Sequence, residues 1–500
     1  MIRTWPRVTA LLLALLLLAG CAAPDPEPVP EPVPAPVTET APEPAPPAEP
    51  TLEERQAEFL AFLEEVNASR RAIYENTEPI AYDEAWMPDL TDLEGVFTQE
   101  EMEAFLTPPE NGPRTVTAQE AAEDVEVAFL LLKHAYGAYD YFGGDEVFLP
   151  LRDEVLSELP GEGEVTPEQL EKLLADVLAP VLVDGHFSIG YTPMRTMHSK
   201  YMYYVPNLFF DDPAGLDPEL VKPTLDAEGR LCWCFAALAS SAEQADLPRT
   251  AEVDGETVDL RWTQAVPTQN SHDVFSRHVL ADGTPLLIST SMVDETEEAR
   301  AQLEELAGCG KEYADAPVVI LDVRCNGGGN SPYISSWFMG YTGQRDNLRK
   351  IWALKLTPIN MLRYTTIDEL RMDFNGKAPF WDVSISLGTW VEHPGLTLVL
   401  QDKRVASSGE LAVEEMRTVD NTLFLGSNTL GCGLTPNNYL HFLPRSGLGL
   451  YFGTGLSLIE DRQNRDGVGH LPDLWVPPSR VLERTEKMIA YYDLTNLMSQ

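Results

Sequence analysis

Two nearly continuous apolar runs constrain this chain most: APVVILDVR at 316–324 and LTLVLQD at 396–402. A strand with one wet face alternates apolar and polar residues, whereas a strand covered on both faces is apolar throughout. Each run therefore predicts a strand inside a mostly parallel sheet with helices on either side. Each also ends in a turn of small residues. The first leads into Cys325-Asn-Gly-Gly-Gly329; the second leads into Ala406-Ser407-Ser408-Gly409 and a helical stretch, ELAVEEMRTV at 410–419. TPLLIST (284–290) and NTLFLGSN (421–428) read as further strands, and ETEEARAQLEELAGCG (295–310) as a helix ending in glycine. The expected fold class is α/β in this region and α+β overall.

Upstream the pattern differs. Residues 51–75 have helical periodicity, with Thr51 as N-cap and Leu52, Phe59, Leu60 and Phe62 as a candidate buried stripe. Stretches 117–136 and 166–180 also read as helices, the second with Pro167 at its first position. Between 187 and 290 come short β-type runs such as YMYYV (201–205), LCWCFAAL (231–238) and TVDLRWT (257–263), separated by Gly, Asp and Pro. The expected organisation is a signal segment at 1–20, a linker at 21–50, a helical region at 51–182, a β-rich module at 183–283, an α/β core at 284–482 and a terminal helix at 483–500.

The N-terminus carries an address. Arg3 and Arg7 precede the apolar run VTALLLALLLL at 8–18, which is too short to span a bilayer comfortably and ends in Leu18-Ala19-Gly20-Cys21. That ending resembles the bacterial lipobox, which implies cleavage before Cys21, lipidation of its thiol and a membrane anchor outside the cytoplasm. Residues 22–50 alternate proline with glutamate, a composition that favours an extended, solvated tether. The chain has 35 basic and 79 acidic residues, a formal charge of −44, so phosphate backbones would repel it and a nucleic-acid partner is not expected. Cys232, Cys234, Cys309, Cys325 and Cys432 are odd in number and scattered, which reads as core cysteines rather than a disulfide framework or a metal site. No cofactor or metal is expected.

Four segments could carry chemistry. A serine in the turn before residue 410 can stand at a helix N-terminus, where amides lack intrahelical partners and the dipole is positive, although serines there are also ordinary N-caps. The Gly-rich turn at 326–329 allows positive φ and close backbone approach, yet it lacks a phosphate-binding lysine and the GxGxxG spacing. Val183-Asp-Gly-His186 offers an imidazole on a turn, and Asp466-Gly-Val-Gly-His-Leu-Pro-Asp473 an acidic loop. In this order, VDGHFSIGY (183–191), VVILDVRCNGGG (318–329), VASSGE (405–410), GSNTLGCG (426–433) and DGVGHLPDLWV (466–476) together resemble family 41 of the serine peptidases. That family comprises the C-terminal-processing, or tail-specific, proteases and the tricorn core, on a ClpP/crotonase-like scaffold.

The resemblance implies Ser407 as nucleophile, with Ser408 as the alternative. It implies an oxyanion hole from the amide of Ser408 and that of Gly327 or Gly328. Tail-specific proteases carry a lysine base in the turn that here reads Gly431-Cys432-Gly433, and a cysteine cannot replace it. The tricorn-type alternative makes His186 the base and Asp466 its orienter, with Glu460 as substitute and Asp473 ordering the terminal loop. The substrate implied is a peptide or protein tail. A catalytically inactive ligand- or peptide-binding lipoprotein on the same scaffold is the competing reading, because a fold does not by itself confer an activity.

Overall fold

The computed structural model describes residues 49–499 except 79–80, 94, 254, 269–272, 346, 365–378 and 460–462. Its centre is a sheet whose spatial order follows the chain: β1 (Phe275–Val279), β2 (Pro285–Ser289), β3 (Val318–Asp322), β4 (Leu396–Gln401), β5 (Thr422–Gly426) and β6 (Leu474–Trp475). β1 and β2 pair antiparallel; every later pairing is parallel. The period of two divides the side chains cleanly. Val319, Leu321, Val399 and Phe424 face the helices Glu297–Cys309, Pro332–Thr342 and Ser408–Met416. Val318, Ile320, Leu398, Leu400, Leu423 and Leu425 face the other side, covered by Val481–Tyr492 and by the first helix, Leu52–Asn76. Both faces are dry, so the runs at 316–324 and 396–402 carry no polar alternation.

The first helix begins at a capping box, in which Thr51 Oγ1 accepts from the Glu54 amide and the Glu54 carboxylate accepts from the Thr51 amide. Its buried stripe is Phe59 and Leu63, flanked by Phe62 and Val66. Leu52 and Leu60, expected inside, are 40% and 42% exposed. The sheet and the helix Val481–Tyr492 together select the face, with the Phe59 and Tyr492 rings 5.4 Å apart. Asn67 donates to Asn421 Oδ1, Arg70 pairs with Asp473, and Arg71 pairs with Asp420, fastening this helix across the β5 end.

The helices Ala118–Ala135 and Pro167–Leu178 lie where the sequence places them, each with a threonine capping box, and Pro167 opens the second. They pack in a separate core with Leu434, Leu450, Phe452 and Leu456 from the C-terminal half. The β-rich middle forms a four-stranded sheet of Thr263–Gln264, Tyr201–Phe210, Leu231–Ala239 and Val221–Leu225. Cys232 and Cys234 are buried on the third of these, and all five described cysteines are free thiols. Among the described residues no helix is long and apolar enough to cross a membrane.

This architecture places two turns side by side. β3 and β4 pair in parallel with Asp322 opposite Leu400, so both C-terminal ends open at one edge. Crevices at the carboxyl ends of parallel strands are where such sheets bind ligands. The Gly-rich turn and the serine turn sit there together.

Candidate active site

Ser407 lies between β4 and the helix Ser408–Met416 with φ 52° and ψ −124°. A non-glycine residue at such angles costs of order 1–3 kcal/mol and persists only where its surroundings impose it. Here its amide donates to Cys432 O at 3.1 Å, and its carbonyl accepts from Glu410 N at 2.8 Å. The turn N-terminal to it is tied to the Gly-rich turn by Ala406 N donating to Asn326 O at 2.9 Å. Gly409 must be glycine, because a Cβ there would stand 2.2 Å from Asn326 O. Ser407 Oγ makes no hydrogen bond among the described residues, so the hydroxyl is not a helix cap. Ser408 differs: its hydroxyl donates to Gly329 O at 2.7 Å. The neighbour is tethered, and Ser407 is the hydroxyl open to a cleft of about 560 Å³.

The oxyanion donors divide unexpectedly. Gly328 N donates to Asn326 Oδ1 at 3.0 Å, so the expected alternative at Gly328 is already engaged. Buried Asn326 is itself anchored through Nδ2 to Ser289. Gly327 lines the cleft with open space on its Cβ side, and neither its amide nor that of Ser408 has an acceptor among the described residues. Gly328 instead brings the two turns together at φ 94°, where a Cβ would lie 2.8 Å from Ser407 Cβ.

His186 lines the same cleft. Its turn is held at each residue. Asn464 donates to Val183 O at 2.6 Å, and Asp184 accepts from Tyr136 Oη at 2.7 Å, Thr435 Oγ1 at 2.8 Å and His186 N at 2.8 Å. Gly185 N donates to Asp466 Oδ2 at 2.7 Å, and Arg195 Nη1 donates to Gly185 O at 3.1 Å. The ring's Nδ1 is buried without a partner among the described residues, which leaves Nε2 as the nitrogen with access to the cleft. Burial pushes the imidazole below its usual 6.5; the Asp184 charge opposes this and Arg195 adds to it.

Asp466 therefore departs from the orienter expected of it. Its Oδ1 accepts from Gly433 N at 2.9 Å and Leu434 N at 3.2 Å, and its Oδ2 accepts from Gly185 N. None of these donors is the imidazole. The carboxylate ties the histidine's turn to the turn at 431–434 and so positions His186 through the backbone. Burial and the charge of Asp184 push this carboxyl above the usual range, while the amides of Gly185 and Gly433 pull it back. Glu460 and Cys21 lie outside the described residues. Asp473 stands apart, accepting from Phe424 N at 2.7 Å beside Arg70.

Cys432 lies buried between the serine and histidine turns, and burial, then Asp466 and Glu410, keep its thiol protonated. It serves through its backbone: its carbonyl receives Ser407 N, and its amide donates to Glu410 Oε2 at 2.7 Å. Lys403 also reaches the cleft, but its Nζ donates to Thr429 O, Leu430 O and Gly467 O at 3.1, 3.1 and 2.8 Å. Burial pushes it down to about 8, against Glu410. With three donors in three carbonyls, it braces these loops as an ammonium.

The packing gives a direct test. A Cβ on Gly185 would lie 2.4 Å from Gly431 O and 2.6 Å from Cys432 Cα. Gly185→Ala must therefore push the His186 turn off the 431–433 turn. The expected result is a loss of roughly 1–3 kcal/mol by urea unfolding, with hydrolysis falling further than stability. A variant as stable and active as the parent would contradict this contact.

No family model matches this chain, and no curated protein does at a significant level. Solved structures similar to it include mature CPAF, at 13% identity and TM-score 0.41, covering 76% of this chain and 98% of that one. The photosystem II D1 C-terminal processing protease is similar at 13% identity and TM-score 0.36, covering 76% and 97%. A lipoprotein from Streptococcus agalactiae is similar at 12% identity and TM-score 0.33, covering 77% and 98%. Likenesses this distant leave the chemistry to the site itself.

Sequence alone does not single out Asp184, Asn326, Arg195 or Arg404. Asp184 and Asn326 lie within the turns at 183–186 and 325–329, where a short polar residue beside glycine is the available signal. Nothing local marked the arginines.

Proposed function

We propose that this chain is an envelope-facing serine peptidase, held to the membrane by a lipid on Cys21, that hydrolyses peptide bonds with Ser407 and His186. One observation carries the reading: a serine in a strained turn at a helix N-terminus, its hydroxyl unbonded, shares a cleft with a histidine whose cleft-facing nitrogen is Nε2. Ser407 Oγ attacks the peptide carbonyl as its proton passes to His186 Nε2. The oxyanion accepts from the amides of Ser408 and Gly327. The imidazolium then protonates the leaving amine, the C–N bond breaks, and a water activated by the same imidazole releases the acyl group. Asp466 and Asp184 act as positioning residues for the histidine turn.

The base must be neutral to accept the proton, and burial favours the neutral ring. As pH falls, the base form persists below 6.5 before it is lost. The expected kcat/KM profile for an internally quenched peptide has the midpoint of its acid limb below 6.5. A midpoint at or above 6.5 would contradict the burial argument, and no turnover of peptide or activated ester at any pH would sink the hydrolase reading.

The observation favouring a non-catalytic binding protein is the lone Nδ1 of His186, which lacks the acceptor that a complete triad would supply among the described residues. Peptide binding without covalent labelling of Ser407 is what that reading requires.

A further inference from the structure

We propose that the cleft selects peptides with acidic side chains flanking the scissile bond, read by Arg195 and Arg404; this rests on the proposed function for the position of that bond. The chain as a whole carries 79 acidic against 35 basic residues. This cleft is the reverse. Its charged lining residues are Arg195, Lys403 and Arg404, and no Asp or Glu lines it.

Lys403 is spent on three carbonyls, which leaves the arginines. Arg195 is half-buried on the histidine's side, with Nη1 on Gly185 O. Arg404 is exposed on the serine's side, with Nη1 on Thr268 O at 3.2 Å. A guanidinium has five N–H donors, so each keeps several to spare. Neither forms an ion pair among the described residues, in contrast to Arg70, Arg71 and Arg324, which are matched to carboxylates.

Unpaired guanidinium groups in a concave site fit carboxylates with charge-assisted, paired hydrogen bonds. Their placement favours side chains over a chain terminus. One arginine stands beside the base, the other three residues before the nucleophile. We assign each arginine one acidic side chain, one on each side of the bond. Tyr191, 95% exposed on the lip, adds a bare aromatic face for the substrate's neighbouring residues.

The test uses the full chain and two peptides of one sequence, bearing Glu or Gln on each side of the cleavable bond, with blocked N-termini and each made with an amidated and with a free C-terminus. Binding is measured by fluorescence anisotropy on Ser407→Ala, and hydrolysis on the parent. The expected result is Glu bound about tenfold or more tighter than Gln, with the ratio reduced in Arg404→Gln and in Arg195→Gln and collapsing towards one in the double variant. Circular dichroism confirms that each variant is folded. Equal affinity for the two peptides would overturn the proposal, as would a preference appearing only with a free C-terminal carboxylate. Glu-selective binding without hydrolysis by the parent would support it while refuting the peptidase reading.

Discussion

Replacing Ser407 by alanine is expected to lower kcat for peptide hydrolysis by on the order of 10³–10⁶-fold while leaving the thermal transition in place. The size follows from the covalent step, since without Oγ there is no acyl-enzyme and only binding and oxyanion contacts remain. The stability claim follows from the hydrogen bonds. Ser407 Oγ has no partner among the described residues, and its amide and carbonyl bonds to Cys432 and Glu410 survive in alanine. A surface-like change of this kind shifts stability by about 0.5 kcal/mol or less. Ser408→Ala should behave oppositely. It removes the hydroxyl bond to Gly329 O and should cost about 1 kcal/mol in unfolding free energy while retaining most turnover. If Ser408→Ala were the dead variant, the nucleophile would be reassigned.

The second large effect concerns Asp466. Its carboxylate satisfies the amides of Gly185, Gly433 and Leu434, joining segments far apart in the chain. Asp466→Ala leaves three largely buried N–H groups without acceptors. At about 1–3 kcal/mol each, the expected loss is at least ~3 kcal/mol of unfolding free energy. Hydrolysis should fall with it, because the turn carrying His186 is released. Asp466→Asn keeps one acceptor oxygen but points an NH₂ at one of these amides, so an intermediate loss of stability is expected. An orienter bonded to the imidazole would behave differently: its Asn variant would keep its stability and lose activity alone. Urea unfolding of the three proteins beside their kcat/KM values separates the roles, and unfolding curves that superimpose would contradict the positioning role.

Much of this was legible in the residues because parallel strands and turns write local signals. The apolar runs at 318–322 and 396–401 and the glycines at 327–329 state their conformations within a few positions. Burial of the first helix was less legible. Its stripe is chosen by the sheet and the C-terminal helix it meets, both more than two hundred residues later, so Leu60 and Leu63 are indistinguishable by periodicity alone. Asp466 shows the same limit at the site. A sequence gives the acid and its place in a motif, but whether its oxygens meet a ring or three amides depends on where two distant turns are stacked. The Gly328 amide fails as an oxyanion donor for a similar reason, since only the folded turn brings Asn326 Oδ1 onto it.

The most direct test of the central claim is to treat the full chain with a fluorophosphonate at neutral pH and map the adduct by tandem mass spectrometry. The proposed site predicts a single phosphonyl adduct on Ser407, lost in Ser407→Ala and strongly slowed in His186→Ala. An unlabelled chain, under conditions that label a control serine peptidase, would contradict it, as would an adduct on any other residue.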